Sequence, residues 1–210
     1  MKDHSYYMKI CFQLAKKALG NTYPNPYVGS LIIDSSGEII SKGYHKESGQ
    51  DHAERDAIKN ATRSIVGATL YCNLEPCCHT NKKTLPCAQY LIESQISKVV
   101  ISNLDPNPAV AGKGVKLLQD AGIEVVVGIE REKGETLNEV FFHHIKKQTP
   151  FVHLKWAQTL DGKVATLNYD SKWITSETAR IHVHQERALY QAILVGANTC
   201  LLYTSPSPRD

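Results

Sequence analysis

The sequence predicts an α/β protein, a mixed sheet covered by helices on both faces in three layers. Three observations carry this reading. Short apolar runs alternate with segments of helical period, turn residues separate them, and the chemistry-bearing residues fall where a strand passes into a helix.

The elements follow in order. Tyr7, Met8, Cys11, Leu14, Ala15 and Ala18 recur at three- and four-residue steps, which predicts an amphipathic helix over 5–19, ended by Gly20-Asn21. After the Asn25-Pro26 loop, 28–33 reads as a buried strand. Asp34-Ser35-Ser36-Gly37 turns the chain and 38–44 returns as a hairpin. Helices are expected over 53–61, 88–94, 115–121 and 132–147, and strands over 69–74, 98–102 and 124–127. The first two strands should pair antiparallel and the later ones parallel. Thr149-Pro150 marks a boundary, which sets residues 1–148 as one domain. Beyond it a strand over 151–157, a helix over 177–188 and a strand over 193–196 are expected. About sixty residues are too few for the second α/β domain they begin.

Composition narrows the function classes. With 42% hydrophobic and 21% charged residues, the chain can bury a core. A net charge of +3 is too slight to argue for nucleic acid or membrane as partner. No apolar run approaches the roughly 18 residues needed to span a bilayer. The opening Met1-Lys2-Asp3-His4-Ser5-Tyr6 lacks the apolar segment of a secretory signal, so a cytoplasmic location is expected. In a reducing compartment, Cys72, Cys77, Cys78 and Cys87 favour metal over disulfides.

His52-Ala53-Glu54, with Glu75-Pro76-Cys77 and Cys87, is the metal-binding pattern. One imidazole and two thiolates bind Zn2+ and leave a fourth tetrahedral position to water, whose pKa falls to about 7. Glu54 is then the proton shuttle, and the reaction class is hydrolytic deamination of an amino-substituted heterocycle. A zinc-stabilised module without activity would need a fourth ligand. Cys78 adjoins Cys77 too closely, and His79 as ligand would leave Glu54 without a task. The deaminases of the H-x-E…P-C-x-x-C pattern keep two residues between their cysteines, whereas here Cys87 stands ten positions after Cys77. A deaminase of nucleosides or tRNA bases is therefore the weaker alternative, with Thr80 where the second cysteine would stand.

Asn25 lies between two prolines, which suits a side chain that presents its amide at a fixed angle. His79, Lys82 and Lys83 sit between the two cysteine ligands, close to the metal, and suit a substrate phosphate. His45 reads equally as a substrate contact or a strand-end histidine. His143-His144 reads as helix surface.

Pro24-Asn25-Pro26-Tyr27-Val28-Gly29, Gly43-Tyr44-His45, His52-Ala53-Glu54, Leu74-Glu75-Pro76-Cys77-Cys78-His79-Thr80 and Pro86-Cys87 together resemble the deaminase half of the bifunctional riboflavin-biosynthesis deaminase/reductase family. Asp105-Pro106-Asn107-Pro108, Val110-Ala111-Gly112 and Gly114 fit the same pattern. Lys155, Thr159-Leu160-Asp161-Gly162-Lys163 and Ser171-Lys172-Trp173-Ile174-Thr175-Ser176 resemble the opening of its reductase half. The resemblance implies a cytidine-deaminase-like domain that hydrolyses the ring amine of 2,5-diamino-6-(5-phosphoribosylamino)pyrimidin-4(3H)-one. It carries the metal ligands to His52, Cys77 and Cys87, the proton shuttle to Glu54, and a pyrimidine contact to Asn25. It implies a dihydrofolate-reductase-like second domain, incomplete over 149–199, that would use NADPH. Ala157, Trp173 and Thr199 would be cofactor contacts, and Ser171 and Arg187 substrate contacts. Homo-oligomers are common among deaminases of this fold. The pattern fails after Thr199, so residues 200–210 read as an atypical tail and the reductase half is expected to be inactive.

Overall fold

The computed structural model describes residues 2–78, 86–108 and 110–196. The chain divides into two units, Met1–Val152 and His153–Asp210. The first contains α1 (His4–Ala15), β1 (Gly29–Ile33), β2 (Ile39–Tyr44), α2 (Ala53–Lys59), β3 (Thr69–Leu74), α3 (Cys87–Glu93), β4 (Lys98–Asn103), α4 (Lys113–Asp120), β5 (Glu124–Val127), α5 (Arg131–Leu137) and α6 (Glu139–Lys147). The strand order is β2-β1-β3-β4-β5. β1 pairs antiparallel with β2 and β3, and β3, β4 and β5 run parallel, as the sequence predicts.

Alternation along the strands divides the apolar side chains between two cores. Leu31, Ile33, Tyr71 and Val100 pack against Tyr7, Met8, Cys11 and Phe12 of α1. Ile32, Leu70, Cys72, Val99 and Ile101 point the other way, with Ala57 of α2, Ala88 and Leu91 of α3 and Leu118 of α4. Each large apolar side chain buried in these layers contributes about 1.5–3 kcal/mol. At the start of α1, the Asp3 carboxylate accepts the Tyr6 N–H at 2.8 Å, a helix N-cap.

Two glycines allow close backbone approaches around the site. A Cβ on Gly43 would lie 2.2 Å from the Ala57 nitrogen and 2.5 Å from the Ala53 carbonyl, so α2 rests on the bare backbone of β2. A Cβ on Gly114 would lie 2.2 Å from the Pro76 carbonyl, so α4 approaches the segment after β3 equally closely.

One expected helix is two. The segment expected over 132–147 breaks between α5 and α6 at Asn138, whose backbone leaves the helical region at φ −111° and ψ 26°. Its side chain is engaged with the backbone of Tyr27. The second unit contains α7 (Glu177–Arg187), capped by Ser176, whose Oγ accepts the Ala179 N–H at 3.2 Å. The strands expected over 151–157 and 193–196 are not formed, and the described residues of this unit contain none. A strand needs a neighbour to pair its N–H and C=O groups. Leu154, Leu160 and Leu194 stay exposed in place of the core that expectation required. No helix among the described residues is long and apolar enough to cross a membrane.

Candidate active site

Three local structures deliver the metal-binding side chains. His52 takes the extended N-cap position of α2 (φ −69°, ψ 160°). Cys77 follows the end of β3, and Cys87 is the first residue of α3. The start of α3 is tied back to Cys77 twice: the Cys87 N–H donates to the Cys77 sulfur at 3.3 Å and the Ala88 N–H to the Cys77 carbonyl at 3.0 Å. Those bonds bring a cysteine ten positions away to the same point in space.

His52 Nδ1 lies 3.6 Å from Cys77 Sγ and 3.3 Å from Cys87 Sγ, and the three ligand atoms lie within 4.8 Å of one another. A tetrahedral zinc ion, with bonds of about 2.05 Å to nitrogen and 2.3 Å to sulfur, holds such atoms about 3.6 Å apart. The donor set and its spacing therefore fit zinc. Among the described residues no fourth ligand joins the group, and Cys78 is outside it.

The two sulfurs are electrostatically unequal. The hydrogen bond between them lowers the Cys77 thiol well below the ordinary range, with His52 assisting. The same bond raises Cys87, and burial adds to the rise. One hydrogen bond thus shifts the two thiols in opposite directions. Glu54, on the first turn of α2, is 3% exposed. Burial raises its carboxyl, while His52 and a hydrogen bond from Cys87 oppose that rise.

These groups open onto a cavity of about 250 Å³, lined among others by Asn25, His45, His52, Glu54, Cys77 and Asp105. It lies beyond the carboxyl ends of the parallel strands β3 and β4, the usual ligand crevice of such sheets. Asn25 enters on a fixed backbone. Its N–H donates to the Thr22 carbonyl at 2.7 Å, and its own carbonyl accepts the Thr22 hydroxyl at 2.9 Å. Its Nδ2 meets His45 Nε2 at 3.0 Å, and His45 Nδ1 lies 2.9 Å from the Asp51 carbonyl. The His45 and His52 rings stand edge to face, with centroids 5.5 Å apart.

Sequence reasoning overlooked the residues that hold this wall in place. Asn138 Oδ1 accepts the Tyr27 N–H at 2.7 Å, and its Nδ2 donates to the Tyr27 carbonyl at 3.0 Å. Asn73 donates to the same carbonyl at 3.0 Å and accepts the Gly29 N–H at 2.7 Å. A polar Asn73 inside an apolar strand was the one available signal. Glu75, beside Cys77 in the motif, is buried. Its carboxylate accepts N–H bonds from Gly112 at 2.9 Å and from Asp105 and Val115 at 3.1 Å. It thereby caps α4 from a distance and holds Asp105 at the cavity.

His79, Lys82, Lys83 and Thr199 fall outside the described residues. Ala157, Ser171, Trp173 and Arg187 belong to the second unit. Trp173 is 68% exposed, with the Arg180 guanidinium 4.3 Å from its ring centre, and Arg187 ends α7. His143 bonds the Thr149 hydroxyl at 3.2 Å on the surface of α6.

Comparison with known proteins agrees with this geometry. Residues 1–103 match the family described as "Cytidine and deoxycytidylate deaminase zinc-binding region", and residues 150–207 match "RibD C-terminal domain". The "Riboflavin biosynthesis protein RibD" of Actinobacillus pleuropneumoniae is 49% identical over 195 residues, 93% of this chain and 51% of the relative. That of Synechocystis is 50% identical over 193 residues, 92% of this chain and 52% of the relative. A crystal structure of a diaminohydroxyphosphoribosylaminopyrimidine deaminase/5-amino-6-(5-phosphoribosylamino)uracil reductase from Thermotoga maritima superposes with a TM-score of 0.89 at 46% identity, covering 94% of this chain and 56% of that one. An Acinetobacter baumannii RibD structure gives 0.88 at 42% identity, over 95% and 55%. The chain spans about half the length of the curated relatives it matches.

Proposed function

The chain belongs to the family of the riboflavin biosynthesis protein RibD, and on that footing we propose that its first unit is a zinc-dependent hydrolase of pyrimidine C–N bonds. The substrate in this reading is 2,5-diamino-6-(5-phosphoribosylamino)pyrimidin-4(3H)-one, whose ring amine leaves as ammonia. The observation that carries it is the His52, Cys77 and Cys87 group at a cavity that also receives the buried Glu54.

His52, Cys77 and Cys87 would hold the ion, which when bound supplies Lewis-acid activation of water near neutral pH. Glu54 does the proton work. A carboxyl raised by burial accepts a proton readily and can return it to the departing amine nitrogen. Asn25 orients the pyrimidine from a fixed loop. His79, Lys82 and Lys83 suit the phosphate by charge, since their segment joins Cys77 to Cys87. Burial of Glu54 and both sulfurs keeps bulk water from the reacting centre.

We further infer that the second unit of this chain does not carry out the NADPH-dependent reduction. Its described residues contain no strand to bring the expected cofactor contacts Ala157 and Trp173 together with the expected substrate contacts Ser171 and Arg187. Absence of NADPH oxidation is expected, and turnover of NADPH by this chain would overturn the inference. The deaminase reading is tested by ammonia release from the phosphoribosyl pyrimidine by the zinc-loaded chain, with cytidine beside it. Release from cytidine alone would reassign the substrate.

A further inference from the structure

We propose that His45 is a positioning residue that holds the Asn25 amide with its carbonyl toward the cavity, so that the site selects rings offering an N–H donor at that point. The inference rests on the deaminase reading of this cavity and deepens it to substrate selection.

The Asp51 carbonyl can only accept, so His45 Nδ1, 2.9 Å away, carries the hydrogen. A neutral ring protonated at Nδ1 has a lone pair at Nε2. The Asn25 atom 3.0 Å from Nε2 is Nδ2, which can only donate, so Nε2 accepts and Oδ1 is the other end of that amide. His45 is 3% exposed and stacked edge-to-face on His52, which keeps its ring plane fixed. Thr22 anchors the Asn25 backbone, and Asn138 and Asn73 anchor Tyr27 just beyond it. An acceptor held this rigidly at the cavity wall pairs with a ring N–H. The pyrimidin-4(3H)-one ring carries such a hydrogen on N3, beside its reacting C2, whereas cytosine, with its bare amidine nitrogen on one side of the reacting C4, offers only a C–H on the other. The device therefore discriminates by hydrogen-bond polarity between rings of similar size.

Two measurements on the zinc-loaded, full 210-residue chain test it. Long-range proton–nitrogen correlation on histidine-labelled protein, with the His45 signals assigned by their loss in His45→Gln, reads the tautomer without any substrate. A hydrogen on Nδ1 and a bare Nε2 are expected. A hydrogen on Nε2, in the other tautomer or in a cationic ring, would overturn the proposal. The second measurement compares kcat/KM for the substrate and for its counterpart methylated at the ring N–H. The wild-type protein should prefer the N–H form on the order of a hundredfold. His45→Phe, which keeps a ring against His52, should reduce that preference about tenfold at unchanged zinc content. His45→Gln, whose amide oxygen can still accept from Asn25, should retain most of it. Equal loss on both substrates, with the ratio intact, would show a purely structural role and defeat the idea. If the wild-type chain deaminates neither compound, the deaminase reading fails, while the nitrogen spectra still decide the orientation of the amide.

Discussion

Asn138 holds the backbone of Tyr27 from both sides, accepting its N–H at 2.7 Å and donating to its carbonyl at 3.0 Å across 111 positions of sequence. This amide, 3% exposed, forms the junction of α5 and α6 and fixes the loop that presents Asn25. Replacing Asn138 by Ala strands the Tyr27 N–H, while Asn73 still reaches the carbonyl. A loss of about 1–3 kcal/mol in urea-unfolding stability is expected, with a KM increase larger than the fall in kcat. Unchanged KM would mean that the clamp does not govern the loop.

Glu75 accepts three backbone N–H bonds with two oxygens. Glu75→Gln turns one of those oxygens into a donor facing a donor, wherever the amide points. Stability should fall by about 2 kcal/mol, and activity should fall with the displacement of Asp105. Thermal unfolding and substrate turnover measured together check this, and a neutral substitution would contradict it.

Gly43→Ala places a methyl group 2.2 Å from the Ala57 nitrogen, an atom of backbone that cannot swing aside. Either α2 lifts from β2, carrying His52 and Glu54 with it, or the chain fails to fold. Reduced soluble yield, or folded protein with weakened zinc binding, is the expected result. Wild-type zinc affinity in a folded Gly43→Ala protein would refute the close packing.

The hydrogen bond between the two sulfurs and burial both raise the Cys87 thiol, which favours a proton on the metal-free pair. Binding of zinc requires both thiolates, so that proton must leave. Around neutral pH, apparent affinity should rise about tenfold per pH unit for each proton released. Calorimetry in buffers of different ionisation enthalpy counts those protons. At least one per ion is expected, and none would mean that the sulfurs are not the ligands.

Much of this was legible in the sequence, for physical reasons. Strands such as 69–74 declare themselves because a parallel sheet buried on both faces demands unbroken apolar runs. The metal ligands declare themselves because few side chains bind zinc and their spacing is constrained. The break at Asn138 was not legible. An asparagine in a helical pattern tells nothing of a loop more than a hundred residues earlier, and the bond that stops the helix is tertiary. The strands expected over 151–157 and 193–196 failed for a related reason, since local β propensity cannot provide the neighbour that a ladder needs. The sequence alone leaves His45 between two roles, because its meaning lies in which atoms its two nitrogens meet.

Glu54 is buried beside the three metal-binding side chains yet is not one of them. Zinc content and ammonia release should be measured on the same preparation of Glu54→Gln and compared with wild type. One zinc per chain in both proteins, with release reduced on the order of a thousandfold in the variant, is the outcome expected. Loss of zinc from the variant, or turnover at the wild-type rate, would contradict the assignment of proton transfer to this carboxyl group.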